Sequence, residues 1–223
     1  MPISRENNLI FVHIPKNAGT SIQEKFKMEQ AGGHQTAEQM RTENPQLWKD
    51  YSSFCVVRNP WDRMVSNYYY CLAEKSFWFD VNNDTKKWNL ADGTEIEGKP
   101  QHPLYHHVKS AGSFEAWMHT FYTTGYMGKS GPEFWATQNR GYDNQYDYIV
   151  DSEGNIMVDH ILRYENLNED FKEFCGKVDI PEIELPTLNQ SKKVDYKEIH
   201  TPYTREITEN VYSKEIELLN YKF

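Results

Sequence analysis

The chain has 223 residues, a formal net charge of −9 and only three cysteines, which lie far apart in the sequence. The acidic balance excludes nucleic acid and anionic membrane as general partners, so an anion site must be a local basic pocket. The cysteine pattern excludes a disulfide framework, and neither a signal peptide nor a bilayer-spanning apolar run is found, which predicts a soluble, cytoplasmic protein with no membrane partner. The length predicts one domain over residues 1–223.

The first third of the chain alternates between predicted strands and helices. Residues 8–14 and 53–58 are continuous apolar, β-branched runs, which are typical of buried parallel strands. Helices are predicted over 19–30 and 37–50. Another is predicted from Pro60, with an apolar face at spacings of three and four residues that comprises Trp61, Met64, Val65, Tyr68, Tyr69 and Leu72.

The remaining residues add an irregular segment and further elements. Residues 76–112 mix polar, aromatic and turn-forming residues, and we interpret them as an insertion or lid. Beyond them the pattern predicts a helix at 113–122, a hairpin of strands at 145–150 and 156–163, a helix at 166–177, a loop at 181–202 and a last helix at 203–219. Strands that alternate with helices through long connections favour an α/β fold with a mostly parallel sheet.

The first candidate anion site follows the first predicted strand. Lys16 comes directly after the strand, and Gly19, Thr20 and Ser21 open the next helix. A glycine allows close approach of an anion, and the backbone N–H groups and hydroxyls at a helix start can donate to it. A Walker A loop places its lysine after the glycine-rich turn, so this loop is of a different kind. A plain helix cap with a solvated lysine is the alternative interpretation.

The second candidate anion site follows the second predicted strand. Arg58 ends that strand, and Ser66 lies two turns into the next helix on the side away from the apolar face. A guanidinium and a hydroxyl in these places can converge on one phosphate. The alternative is that Arg58 pairs with a carboxylate such as that of Asp62. Two such sites after two parallel strands favour a ligand, because ligands bind at the carboxyl ends of such strands.

The two sites together resemble a known family. Residues 14–21, IPKNAGTS, resemble the 5′-phosphosulfate loop of sulfotransferases that use 3′-phosphoadenosine 5′-phosphosulfate (PAPS), and residues 57–69, VRNPWDRMVSNYY, resemble their 3′-phosphate motif. The carbohydrate branch, which modifies heparan, dermatan and chondroitin sulfate and has soluble bacterial members, is the nearest. Weaker similarities follow at 162–167 (LRYENL), 188–191 (LNQS) and 216–221 (IELLNY).

The resemblance implies a P-loop-NTPase-like three-layer fold with helices on both sides of a central sheet, and transfer of a sulfuryl group to a hydroxyl. It assigns Lys16 to the 5′-phosphate and bridging oxygen, and Gly19, Thr20 and Ser21 to the 5′-phosphate. It assigns Arg58 and Ser66 to the 3′-phosphate. Lys192 and Lys193 could close over the nucleotide, although a solvated loop is the competing interpretation. PAPS is thus the expected donor, and no metal is expected.

The acceptor hydroxyl needs a base, and histidine suits that role near neutral pH. His34 is the first candidate, because glycan sulfotransferases carry a catalytic histidine between the two phosphate motifs. His13 lies in the strand pattern and is interpreted as structural. The histidines at 102, 106 and 107 form a second cluster, with His106 the next candidate base, and Glu24 and Glu38 are held in reserve.

The expected acceptor is a saccharide, and the acidic charge favours a neutral one over a polyanionic glycan. A nucleotide kinase or another P-loop phosphotransferase is a second hypothesis, which the missing G-K-[ST] signature disfavours. A non-catalytic nucleotide-binding relative is a third, which the retained Lys16 disfavours. The sequence does not predict the oligomeric state.

Overall fold

A computed structural model describes residues 2–28, 34–73, 88–89, 95–96, 108–123, 143–182, 185 and 194–223. The chain forms two compact units, and each is built from two separate stretches of sequence. The first unit comprises residues 1–59 and 145–190, and the second comprises residues 60–144 and 191–223.

The described part of the first 59 residues contains three strands and three short helices. The strands are β1 (Ile3–Ser4), β2 (Leu9–Val12) and β3 (Ser52–Val57), and the helices are α1 (Gly19–Lys25), α2 (Ala37–Glu43) and α3 (Pro45–Asp50). The predicted helix over 37–50 is therefore two helices. The break falls at Asn44, because the residue before a proline is disfavoured in the helical conformation and Pro45 starts a new first turn.

The next stretch begins with α4 (Pro60–Leu72), includes the short paired strands β4 (Trp88–Asn89) and β5 (Glu95–Ile96), and ends with α5 (Phe114–Thr123). Both predicted helices are confirmed, and at the start of α5 the Ser113 hydroxyl accepts from the N–H of Ala116 at 3.2 Å. Most of the predicted insertion at 76–112 lies outside the described residues.

The last stretch is mainly helical. It contains α6 (Tyr146–Ile149), β6 (His160–Arg163), a 3₁₀ turn (Tyr164–Asn166), α7 (Leu167–Lys177), α8 (Tyr196–Ile199), α9 (Pro202–Val211) and α10 (Ser213–Leu218). The predicted last helix over 203–219 is thus split at Tyr212, whose side chain is fully buried. Helix α8 lies where the sequence predicts a loop.

The predicted strand at 145–150 is wrong. Residues Tyr146–Ile149 form one helical turn, and a single antiparallel bridge joins Val150 to Ile156. The reason is the buried side chain of Gln145, which takes both backbone hydrogen-bonding groups of Arg58 just beyond the end of β3. The turn at 151–155 is confirmed, since the Asp151 carboxylate accepts from the N–H groups of Glu153 and Asn155.

The sheet of the first unit has the order β1-β2-β3-β6. Strand β1 runs antiparallel to β2, and the other two pairings are parallel, which confirms the predicted mostly parallel sheet. The apolar side chains of one sheet face pack against α1 and α7 in a core that comprises Leu9, Phe11, Ile22, Phe26, Met28, Phe54, Val56, Leu162, Phe171, Phe174 and Cys175. This core holds the carboxyl ends of β2 and β3 side by side.

The second unit has its own core around α4. The predicted apolar face of this helix packs against α5 and α9, with Met64, Val65 and Tyr68 beside Trp117 and Ile207. The opposite face of α4 is buried as well, including Arg63, Ser66 and Asn67. Burial of the polar face was not predicted, because amphipathic spacing alone indicates one buried side.

Candidate active site

The loop after β2 has an unusual backbone. Lys16 and Ala18 both adopt left-handed conformations, with φ of 71° and 61°, and Asn17 lies between them. Left-handed residues that alternate with other conformations can direct successive N–H groups towards one side, which makes a concave anion site. Non-glycine residues are uncommon in this region, so two in three positions mark a candidate functional loop.

Gly19 begins α1. Glycine is required at this position for a second reason, besides allowing an anion to approach the backbone closely. A Cβ atom added at this position would overlap the imidazole ring of His13. The ring of His13 therefore packs directly on the start of the helix. Of the two hydroxyl residues that follow, Thr20 is exposed and Ser21 is buried.

Two histidines meet beside this loop. The ring centroids of His13 and His34 are 4.4 Å apart, and His34 Nδ1 lies 3.0 Å from the backbone oxygen of His13. A carbonyl only accepts, so Nδ1 of His34 carries the proton, and Nε2 holds the lone pair in the neutral ring. Burial, and secondarily the nearby His34, hold the pKa of His13 well below its usual range. His34 is thus oriented with its basic nitrogen at Nε2.

Arg58 joins the same loop from the end of β3. Its Nη1 donates to the backbone oxygen of Lys16 at 3.1 Å, and its guanidinium carbon lies 4.0 Å from the centroid of the Tyr164 ring. The side chain is mostly buried, with 8% of the residue exposed. The two positions predicted from separate motifs, Lys16 and Arg58, are therefore adjacent in the first unit.

Several residues that support Arg58 were missed by sequence reasoning. Gln145 bonds both backbone groups of Arg58, and Asn17 donates to Gln145 and to the backbone oxygen of Val56. The carboxylate of Glu165 accepts from the N–H of Asn59 at 2.6 Å. Residues 162–167 were noted only as a weak similarity, and that similarity is the one signal that could have indicated Tyr164 and Glu165.

Ser66 belongs to the second unit, where it lies on α4 with 7% of the residue exposed. Within that unit the neighbouring Arg63 is fully buried, and its Nη1 donates to the backbone oxygen of Asp143 at 2.6 Å. The role of Ser66 in binding the 3′-phosphate stays a prediction.

Most of the other candidates from the sequence lie outside the described residues. His102, His106, His107, Lys192 and Lys193 fall outside them. Glu24 is exposed and Glu38 is half-buried on α2. Where the structure describes side chains, no group of three or more His, Cys, Asp or Glu residues is arranged to hold a metal. In those same ranges no helix has the length and apolar character to cross a membrane.

The arrangement can bind and act on an anionic ligand. An ammonium and a guanidinium come from residues that follow adjacent parallel strands, and such strand ends are the usual place for ligands in an open α/β sheet. An imidazole with a defined basic nitrogen lies beside the same loop. Cations that stabilise developing negative charge and a base that accepts a proton are the groups that group transfer to a hydroxyl requires.

Comparison with known proteins gives an independent result. The family model of the sulfotransferase family matches residues 1–222. Searches of the curated proteins and of the solved structures gave no match. Because the match covers nearly the whole chain, including the P-loop-like α/β core, the chain belongs to the sulfotransferase family and is an enzyme that transfers sulfuryl groups.

Proposed function

We propose that this enzyme transfers the sulfuryl group of PAPS to a hydroxyl of a saccharide. The observation that carries the proposal is the hydrogen bond from the Arg58 guanidinium to the backbone of Lys16. It brings the cation expected at the 3′-phosphate next to the loop expected at the 5′-phosphosulfate. A donor with phosphates at both the 3′ and 5′ positions suits two adjacent cationic positions, whereas a 5′-nucleotide alone leaves Arg58 without a phosphate.

The reaction is an in-line displacement at sulfur. The acceptor oxygen forms a bond to sulfur, the bond from sulfur to the 5′-phosphate oxygen breaks, and the acceptor proton passes to Nε2 of His34. The departing product is 3′-phosphoadenosine 5′-phosphate (PAP). Negative charge grows on the departing oxygen, where the Lys16 ammonium stabilises it, as in related phosphoryl transfers.

His34 is suited to the role of base by its hydrogen bond to His13. That bond fixes the tautomer before the acceptor binds, so the ring need not reorient during the reaction. We propose Lys16 and His34 as catalytic residues. Gly19, Thr20, Ser21 and Arg58, with Ser66, are proposed to bind the donor.

A saccharide acceptor is supported by the similarity of both motifs to the glycan branch and by a histidine between them. The net charge of −9 favours a neutral saccharide over a polyanionic one, because like charges repel during approach. A screen of neutral and sulfated saccharides with PAPS, read by the mass of the product, tests this. Sulfation of phenols or steroids but of no saccharide would overturn the acceptor assignment.

Donor specificity is tested by calorimetry with PAP and with AMP, which lacks only the 3′-phosphate. We expect PAP to bind at least about tenfold more tightly, since hydrogen bonds to a charged group contribute roughly 1.5–3 kcal/mol. Arg58→Ala should bring the affinity for PAP close to that for AMP. Equal affinities for the two nucleotides in the unaltered enzyme would refute PAPS as the donor.

A further inference from the structure

Two buried side-chain amides connect the Lys16 loop to the end of β3. Asn17 and Gln145 are both fully buried, although they lie 128 positions apart in the sequence. Neither residue has a role in the reaction as proposed above. Together they make four buried hydrogen bonds that join the loop, Val56 and Arg58.

The amide of Gln145 acts on Arg58 as a neighbouring strand would. Its Oε1 accepts from the backbone N–H of Arg58 at 2.8 Å, and its Nε2 donates to the backbone oxygen of Arg58 at 2.8 Å. Strand β3 ends at Val57, so these two bonds extend the fixed backbone by one residue. The base of the Arg58 side chain is thereby held in place.

The amide of Asn17 links the loop to that same fixed point. Its Nδ2 donates to Gln145 Oε1 at 2.6 Å and to the backbone oxygen of Val56 at 2.8 Å. Asn17 lies between Lys16 and Ala18, the two left-handed residues of the loop. One chain of hydrogen bonds thus fixes the Lys16 backbone relative to the Arg58 backbone, in addition to the bond from Arg58 Nη1 to Lys16.

This connection has a thermodynamic cost. Asn17 Oδ1 is buried and has no hydrogen-bond partner among the described residues, and a buried unpaired polar atom lowers the stability of the folded state. The left-handed backbone at Lys16 and Ala18 lowers it further, because a side chain crowds the following carbonyl oxygen in this conformation. Costs of this kind persist where a defined geometry is needed for function.

We propose that Asn17 and Gln145 are positioning residues for the donor: they fix the separation of the Lys16 loop and Arg58, so that one nucleotide can engage both. The inference rests on the proposed function, because it takes a ligand with two phosphate groups to need that separation. Neither amide is required to touch the nucleotide.

The test uses two variants and a matched control. Gln145→Met keeps the side-chain volume and removes all three amide bonds, while Asn17→Ala removes the link from the loop. The control is Ser53→Ala at the opposite end of β3, where the buried hydroxyl donates to Asp159 Oδ2 at 2.7 Å and accepts from the Asp159 N–H at 3.0 Å. This substitution removes a comparable pair of hydrogen bonds at the other end of the same strand, away from the Lys16 loop.

Two measurements are made on each protein. Amide hydrogen exchange reports on the peptides that cover 14–22 and 56–60, and calorimetry gives the ratio of the affinities for PAP and AMP. In Gln145→Met and Asn17→Ala we expect faster exchange in both peptides and an affinity ratio lowered about three- to tenfold or more, since net hydrogen bonds contribute about 0.5–1.5 kcal/mol each. Ser53→Ala should change neither quantity.

The outcomes separate the two proposals. Unchanged exchange in both variants would overturn the idea that the amides fix the loop. Faster exchange with an unchanged affinity ratio would overturn their role in donor binding, because lost stability alone does not alter that ratio in the folded protein. If the unaltered enzyme binds PAP no better than AMP, the proposed donor fails, and the exchange result still decides whether the amides order the loop.

Discussion

Lys16 combines a left-handed backbone with a central place in the proposed chemistry. Its backbone oxygen accepts from Arg58, and its neighbours Asn17 and Ala18 are fixed by buried contacts or by their own unusual conformation. A lysine on a fixed backbone stabilises developing charge without first reorganising. The residue therefore serves both the structure of the loop and the expected reaction.

Replacing Lys16 tests the catalytic role directly. Lys16→Ala should lower turnover about 10²–10³-fold, the usual effect of removing one group that stabilises transition-state charge, while circular dichroism stays that of the folded protein. The control is Lys25→Ala, an exposed lysine at the end of α1. Turnover is measured with radiolabelled PAPS and the acceptor from the saccharide screen. Similar turnover in the two variants would remove Lys16 from the mechanism.

Gly19 offers a test of the packing between the loop and His13. Gly19→Ala should destabilise the protein by about 1–3 kcal/mol, because the new methyl group overlaps the His13 ring. In a His13→Ala background the same change should cost much less, since the ring is gone. Chemical denaturation of the four proteins measures this coupling. Additive costs would show that the ring does not set the requirement for glycine.

At the level of the elements, the start of helix α2 bears on the position of His34. Helix α2 begins with a capping box in which the Thr36 hydroxyl accepts from the N–H of Gln39, and the Gln39 side chain accepts from the N–H of Thr36. His34 lies two residues before that cap. The start of α2 therefore restricts the segment that carries the proposed base.

The capping box makes a prediction with a matched control. Thr36→Ala should cost about 0.5–2 kcal/mol of stability, the usual effect of losing an N-cap, and should shift the His34 imidazole resonances. Thr201→Ala removes the corresponding capping box of α9 in the second unit and should cost a similar amount. It should leave the His34 resonances unchanged. If the two variants shifted the His34 imidazole resonances equally, the cap of α2 would have no specific effect on His34.

Local sequence patterns predicted the helices and strands better than the contacts between distant parts of the chain. The strands around Phe11 and Phe54 and the helix from Pro60 follow from apolar runs and a helix-starting proline, which are properties of a few neighbouring residues. The helical turn after Gln145 does not follow from such a local pattern. Gln145 contacts Arg58, which is 87 positions away in the sequence. A pattern of alternating polarity cannot encode such a contact.

The residues of the candidate site also fall into two groups: those that local motifs indicate and those that only the fold reveals. The short, specific motifs around Lys16 and Arg58 predict two cations at one site, and the structure places the two residues side by side; their roles, and that of Gly19, stay predictions. The resemblance assigns Asn17 no role, because relatives vary at this position, and only the fold reveals that its amide is fully buried against Val56 and Gln145. The contact between Arg58 and Lys16 likewise depends on β2 and β3 being parallel neighbours.

At the scale of the whole molecule, the half-buried His13 and the buried His200 predict how stability depends on pH. Burial holds the pKa of His13 well below its usual value of 6.5 and also lowers the pKa of His200, whose Nε2 donates to the backbone oxygen of Trp61. Both rings are thus neutral in the folded protein at pH values where the unfolded chain binds protons. Their contribution to stability is complete above about pH 6.5 and is lost as pH falls towards the folded-state pKa values.

We expect the free energy of unfolding to fall as pH is lowered from 7 to 5, with each histidine contributing a slope of up to about 1.4 kcal/mol per pH unit. His13→Gln, which cannot titrate, should make the slope shallower. His200→Gln should do the same through the second unit. Denaturation at several pH values measures the slopes, and a slope unchanged by either substitution would contradict the burial of a neutral ring at that position.

In the proposed complex, one nucleotide engages two cations that follow adjacent strands. A crystal structure with PAP bound is the most direct measurement. We predict density for the 5′-phosphate on the loop from Lys16 to Ser21 and for the 3′-phosphate on the Arg58 guanidinium. Density for PAP at another place on the protein, or with its 3′-phosphate away from Arg58, would contradict this prediction.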